Sequence, residues 1–188
     1  MGLPEIFIHF QTAAVSAITR SARGVLAVAV KDATKDGAAQ SVYKSLDEVP
    51  SEQFTAENYR LLRLAFLSAP SKVAVLRVGE TAQKTFQALE QLPFDWLAAP
   101  GLTDTEVVSF IKKQRAGGRG VKAVVTGAAA PDDEGIVNLC ASGVVLDDGA
   151  VTARDYTVRI AALLAALPLT RSATYTTLPE VVGCDALA

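Results

Sequence analysis

Histidine is almost missing from this chain: His9 stands alone among 188 residues. No metal site of the ordinary histidine type can be assembled from one imidazole. A Ser-His-acid triad would have to use this one residue on a terminal strand, and no G-x-S-x-G elbow accompanies it. Cysteine is nearly as scarce. Cys140 and Cys184 are far apart in sequence, with neither zinc spacing nor a disulfide framework, so a reducing compartment is the expectation. Cys140 lies within an apolar strand pattern and is expected to be an inert buried thiol. A basic surplus is also lacking. With 18 basic and 20 acidic residues the net charge is -2, which excludes the electrostatic footprint of a nucleic-acid binder.

Long hydrophobic runs are absent too. The densest, RIAALLAALPL at 159–169, is uninterrupted only over 160–167, between Arg159 and Pro168. A spanning helix needs about 20 apolar residues, so no membrane insertion is expected. The opening MGLPEIFIHF has no basic region followed by a long apolar run, so it does not read as a signal peptide. Ile6, where Ser or Thr is required, argues against N-myristoylation.

What is present is a globular composition: half the residues are hydrophobic, and Ala and Val rather than aromatics supply much of that content. The length suits one domain, or a domain with an arm. EIFIHFQ at 5–11 alternates, with Ile6, Ile8 and Phe10 on one side and Phe7 and His9 on the other, as a short strand with two partly apolar faces. Residues 1–23 are expected to form an extended N-terminal strand arm, and residues 24–188 an α/β body. In the body GVLAVAVKD (24–32) is apolar at nearly every position, as a strand buried on both faces would be. Further strands are predicted at 41–46, 72–78, 94–101, 121–127 and 136–146, the last with a break near Ser142-Gly143. Helices fall between them. One is capped by Thr55 with Tyr59, Leu62 and Phe66 in register. A second carries Ala82, Phe86 and Leu89 on one face. A third opens with the capping box Thr103–Glu106 and stops at Gly117-Gly118. Thr152 caps the last, 153–167, after a turn at Asp147-Asp148-Gly149. Alternation of strand and helix predicts an α/β fold with a largely parallel or mixed sheet flanked by helices.

Such sheets bind ligands at the carboxyl ends of their strands. The glycines of AGGRGVKAVVTG precede a strand, whereas a dinucleotide fingerprint follows one, so they read as a helix stop and turn. TGAAAPDDEG follows a strand but lacks the Lys-Ser/Thr of a phosphate loop and carries acids that repel phosphate. Asp147-Asp148-Gly149 does not have the spacing of a calcium loop. Trp96 is assigned to core or interface. No catalytic residue, cofactor-binding residue or metal ligand is therefore assigned. In the last helix, Tyr156, Ile160, Leu163, Leu164 and Leu167 form one broad apolar stripe. Ala161, Ala162, Ala165 and Ala166 leave a second side for close backbone approach.

Four segments in order resemble the contractile tail sheath family of bacteriophages and phage-tail-like particles. They are GLPEIFIHFQTAAVSAITRSARGVLAVAVKD, NYRLLRLAFLSAPSKVAVLRV, FDWLAAPG and DDGAVTARDYTVRIAALLAALPLTRSATYTTLPEV. The last is the most specific, an Arg-Ile-Ala helix followed by a Ser-x-Thr-Tyr strand. The resemblance implies a non-enzymatic structural subunit without cofactors. Such a subunit forms a homo-oligomer of stacked rings around an inner tube, with tail tube and baseplate proteins as partners, in a virion or tail-like particle. Contraction would draw on energy stored in the extended assembly and drive the tube into a target cell. The resemblance also implies that Ile6, Phe7, Ile8 and Phe10 add a strand to a neighbouring subunit; the residues alone leave pairing within the same domain equally open. Members of the family are longer, so the chain is expected to be the N-terminal portion of a longer one, lacking a C-terminal domain that carries much of the tube contact. The alternative is a ligand-binding or enzymatic α/β domain using the loops after Val78, Pro100 and Gly127.

Overall fold

The computed structural model describes residues 24–34, 37–79, 81–127, 132–168 and 170–186. The expected arm at 1–23, with Ile6, Phe7, Ile8 and Phe10, lies outside the described residues.

Six strands form the main sheet: β1 (Val25–Val30), β2 (Gln40–Tyr43), β3 (Lys72–Arg77), β4 (Trp96–Ala98), β5 (Lys122–Thr126) and β6 (Ile136–Leu139). Their order is β2-β3-β1-β4-β5-β6. All neighbours are parallel except β2, which runs antiparallel to β3 at the edge. Among the described residues four helices cover the sheet: α1 (Ala56–Phe66), α2 (Ala82–Gln91), α3 (Asp104–Ala116) and α4 (Ala153–Ala166). α1 and α4 lie on one face, α2 and α3 on the other, and each pair closes its own apolar core. A smaller antiparallel sheet adds β7 (Ala141–Leu146), β8 (Gly149–Thr152) and β9 (Val181–Ala186), in the order β8-β7-β9. The expected α/β architecture, a mixed and mostly parallel sheet flanked by helices, is the one observed.

Side-chain size explains how the layers fit. Toward α1 and α4 the strands present Leu26, Val28, Val30, Val73, Val75 and Val124, and α4 answers with Ala161, Ala162 and Ala165. Toward α2 and α3 they present Ala27, Ala29, Ala74 and Ala123, and the helices answer with Leu89, Val107, Phe110 and Ile111. Alanines let a helix approach the sheet on one face and let large helix side chains approach it on the other. The alanine side of α4 is thus the side against the sheet. Close approach is sharpest at its C-terminal end, where a Cβ on Gly24 would sit 2.9 Å from the carbonyl oxygen of Ala165. Gly24 also has φ +150, so glycine is required there twice over.

The local signals act as expected at the caps. Thr55 accepts from the Asn58 amide and Thr152 from that of Asp155, while Thr103 and Glu106 form the full capping box. Gly118, at φ +86, follows the end of α3.

Four expectations need correction. The break within 136–146 falls at Cys140, where the chain leaves the large sheet for the small one; Cys140 is consequently exposed rather than buried. The segment after Asp147-Asp148 forms the strand β8, because the turn closes a hairpin with β7. β2 ends at Tyr43, and residues 46–48 form a 3-10 turn instead of continuing it. The Ser-x-Thr-Tyr segment is a turn: Tyr175 has φ +60, and the Ser172 hydroxyl accepts from the Thr174 amide at 3.1 Å, bending the chain locally. The strand expected there appears later, as β9.

Candidate interaction site

The carboxyl ends of the parallel strands are the natural ligand crevice of this fold. Here the chain's own backbone fills it. The loop after β4 turns back so closely that a Cβ on Gly101 would lie 2.8 Å from the Lys31 nitrogen and 2.8 Å from Val78 Cγ2. The Gly101 amide donates to the Ala29 carbonyl at 3.0 Å, and the Val78 amide to that of Val30 at 2.8 Å. The loops after Val78 and Pro100 are therefore sewn to the end of β1. Residues 128–131, after Gly127, lie outside the described residues.

Asp32, just past β1, is the one fully buried carboxylate at this end among the described residues, and its bonding is structural. It accepts from Asn58 Nδ2 at 2.7 Å, from the Thr55 amide at 3.0 Å and from the Thr34 amide at 2.9 Å, with Arg77 Nη1 at 3.5 Å. Burial pushes its pKa up, but the bonds from Asn58, Thr34 and Thr55 outweigh burial and hold it well below the usual carboxylate range. A carboxylate so fixed in its ionised form anchors the start of α1 and is unsuited to proton transfer. Arg77 is committed likewise: it donates to the Thr34 carbonyl at 2.7 Å and to that of Gln53, and lies over the Phe54 ring. Asp104 accepts from Thr126 Oγ1 at 2.9 Å and Arg154 Nη2 at 3.2 Å, tying α3, β5 and α4 together.

The small sheet is held by two arginines that sequence reasoning did not single out. Arg60 on α1 grips the β7–β8 turn, donating to Asp148 Oδ1 at 2.6 Å, the Gly149 carbonyl at 2.7 Å and the Ala150 carbonyl at 3.1 Å. Asp148, weighed above as part of a cation site, is thus the partner of an arginine fork. Arg159 on α4 is buried. It donates to Glu180 Oε1 at 2.6 Å and to the Ser68 hydroxyl, and Tyr156 donates to the same carboxylate at 2.9 Å. Burial pushes the Glu180 carboxyl up, but the bonds from Arg159 and Tyr156 bring it below its ordinary value. Burial, and then the neighbouring Glu180, push the Tyr156 phenol up. The signal for Arg159 was Thr152-x-x-Asp155. Asp155 bonds back to its cap at 2.7 Å, which leaves Arg159 without a helical partner.

Along α4, Tyr156 is buried, whereas Ile160, Leu163, Leu164 and Leu167 are half-buried. Ile160 and Leu164 pack against the core from its margin. The structure places four of these on the helix, with Leu167 as its extended C-cap, and buries only Tyr156. Trp96 is half-buried, with Lys122 Nζ 5.5 Å from its ring centre.

What remains for recognition is surface. Tyr175 is 99% exposed and Val182 62%. Val145, paired with Gly183 on the small sheet, is exposed as well. On the opposite side of the body an open groove of about 550 Å³ runs between α2 and α3. Among the described residues no group of three or more His, Cys, Asp or Glu could hold a metal ion, and no helix is long and apolar enough to cross a membrane.

Comparison with known proteins points in one direction. A family model described as the phage tail sheath protein central domain matches residues 77–186. A tail sheath protein of Clostridium phage phiCD119 is 34% identical, over 96% of this chain and 53% of its own length. The chain thus spans about half the length of that relative. The crystal structure of a sheath tail protein from Desulfitobacterium hafniense superposes with a TM-score of 0.73 at 15% identity, covering 97% of this chain and 66% of the other. The helical sheath of the anti-feeding prophage in its contracted state gives a TM-score of 0.50 at 14% identity, covering 88% of this chain and 52% of the other.

Proposed function

This chain belongs to the phage tail sheath protein family, and from that premise we propose that it is a structural subunit of a contractile tail sheath, polymerising around an inner tube and contracting to drive it into a target cell. The observation that carries the reading is the family match from the end of β3 through β9, which takes in β4 to β6 of the main sheet and all of the small one. The filled strand-end crevice supports it. A sheath subunit needs a rigid body and adhesive surfaces, and the buried polar side chains at the strand ends serve rigidity.

In this reading residues 24–188 are the body and residues 1–23 an arm. Ile6, Phe7, Ile8 and Phe10 add a strand to a neighbouring subunit, so that backbone hydrogen bonds hold the mesh while bodies rotate. The half-buried stripe Ile160, Leu163, Leu164 and Leu167 receives a further segment of the longer protein or a neighbour. The assembly is a homo-oligomer of stacked rings, with tail tube and baseplate proteins as partners, in a virion or tail-like particle. No nucleotide is needed, because the extended assembly stores the energy. The alternative, a ligand-binding α/β domain, loses its crevice to Gly101 and its carboxylates to α1 and α4.

Negative-stain electron microscopy of the natural protein tests this. Tubes or stacked rings are expected; monodisperse particles carrying a bound small molecule would overturn it. Deleting residues 1–20 is expected to leave the circular dichroism of the body intact and to abolish tubes. A normal sheath after that deletion removes the role given to the arm.

A further inference from the structure

Between α4 and β9 the chain builds a loop with the marks of an interface anchor. Its base is clamped by Glu180 on Arg159 and Tyr156, and Leu178 packs against the core beside α4. Its tip is braced by the Ser172–Thr174 side-chain bond of 2.8 Å. That brace presents Tyr175, 99% exposed, in a left-handed conformation that a bulky residue adopts only under constraint. Arg171, four residues earlier, is exposed and makes no ion pair among the described residues. An exposed tyrosine and an exposed arginine four residues apart on one braced loop are of the residue types that make a binding hot spot.

The opposite face of the body carries a matching concavity. Between α2 and α3, Phe86 and Phe110 stack with centroids 4.8 Å apart and floor the groove of about 550 Å³. Gln83 and Gln87 line it, with Glu90 and Glu106 as its acids. Lys113 satisfies Glu90 at 3.0 Å, and hydrogen bonds from Thr103 keep Glu106 ionised below the ordinary range, so the groove keeps an excess of negative charge.

We infer that the Tyr175 loop of one copy docks in the α2/α3 groove of a second copy, the tyrosine ring entering over Phe86 and Phe110 and Arg171 meeting the groove's carboxylates. The inference rests on the sheath reading and deepens it. Loop and groove lie on opposite faces of the main sheet, so the same molecule cannot use both within a two-fold dimer. The contact is head-to-tail, and head-to-tail contacts propagate into rings or helices.

The natural full-length protein tests this, with Cys140→Ser and Cys184→Ser as background. Tyr175→Cys combined with Gln87→Cys, treated with a short bismaleimide, is expected to give a ladder of dimer, trimer and longer species; either cysteine alone gives none. Tyr175→Ala, at a side chain without internal packing, is expected to leave the thermal midpoint unchanged and to weaken self-association about ten-fold or more in sedimentation velocity. Ordinary sheath tubes with no ladder, or with undiminished association in Tyr175→Ala, overturn the docking and leave the sheath reading standing. A product that stops at the dimer overturns the head-to-tail geometry. A protein that never self-associates overturns both.

Discussion

Single residues decide whether this body stays closed. Gly101 lets the β4 loop lie on β1, and any side chain there meets backbone at 2.8 Å. Gly101→Ala is expected to cost about 1–3 kcal/mol through overpacking, read as a lower urea midpoint with an unchanged slope. Arg159 is the positive partner of a nearly buried carboxylate, so Arg159→Met, which leaves Glu180 uncompensated, is expected to cost roughly 3 kcal/mol. Asp32 and Glu180 both have native pKa values below their unfolded ones. Their contribution is complete above the unfolded carboxylate range and is lost as pH falls through the native values. The urea midpoint of the wild type should therefore decline on acidification below about pH 4. Asp32→Asn should be less stable at neutral pH and show a flatter decline; an equally steep one would mean that Asp32 is not the group being protonated.

At the scale of elements, the fit between layers makes α4 asymmetric. Ala161→Leu forces a large side chain into the closed core that α4 shares with the sheet and is expected to cost about 1–3 kcal/mol. Leu163→Ala, on the half-buried stripe, should cost less than about 1 kcal/mol in the isolated body, a difference that paired thermal melts would resolve. Caps and periodicity made the four helices and the parallel strands legible in the sequence, because those signals are local: Thr55, Thr103 and Thr152 each mark a start. The switch of sheets at Cys140 was not legible, since apolar residues continue on both sides and only distant pairing with β5 and β9 separates them. β9 was hidden for the same reason. The filled crevice was half visible. The sequence shows no phosphate motif, but only the folded backbone reveals what Gly101 excludes. The family resemblance puts Tyr175 in a strand, and Thr and Tyr do favour strands; local hydrogen bonding at Ser172 overrides that propensity.

For the whole molecule, polar groups and function are kept apart. Charged side chains tie elements to one another, as Arg60 does the β7–β8 turn, Asp104 three elements and the buried Arg159 the base of the last loop. The surfaces left over, the loop that carries Tyr175 and Arg171 and the groove floored by Phe86 and Phe110, lie on opposite faces. That division suits a subunit whose neighbours must rearrange while it does not. The most direct test is cryo-electron microscopy of contractile particles containing this chain, before and after contraction. The account predicts that residues 24–186 lie in the sheath layer and move as one rigid unit, with the Gly24–Ala165 approach and the Arg60–Asp148 pair intact in both states. Particles whose sheath layer lacks this body, or in which the two sheets separate on contraction, would contradict it.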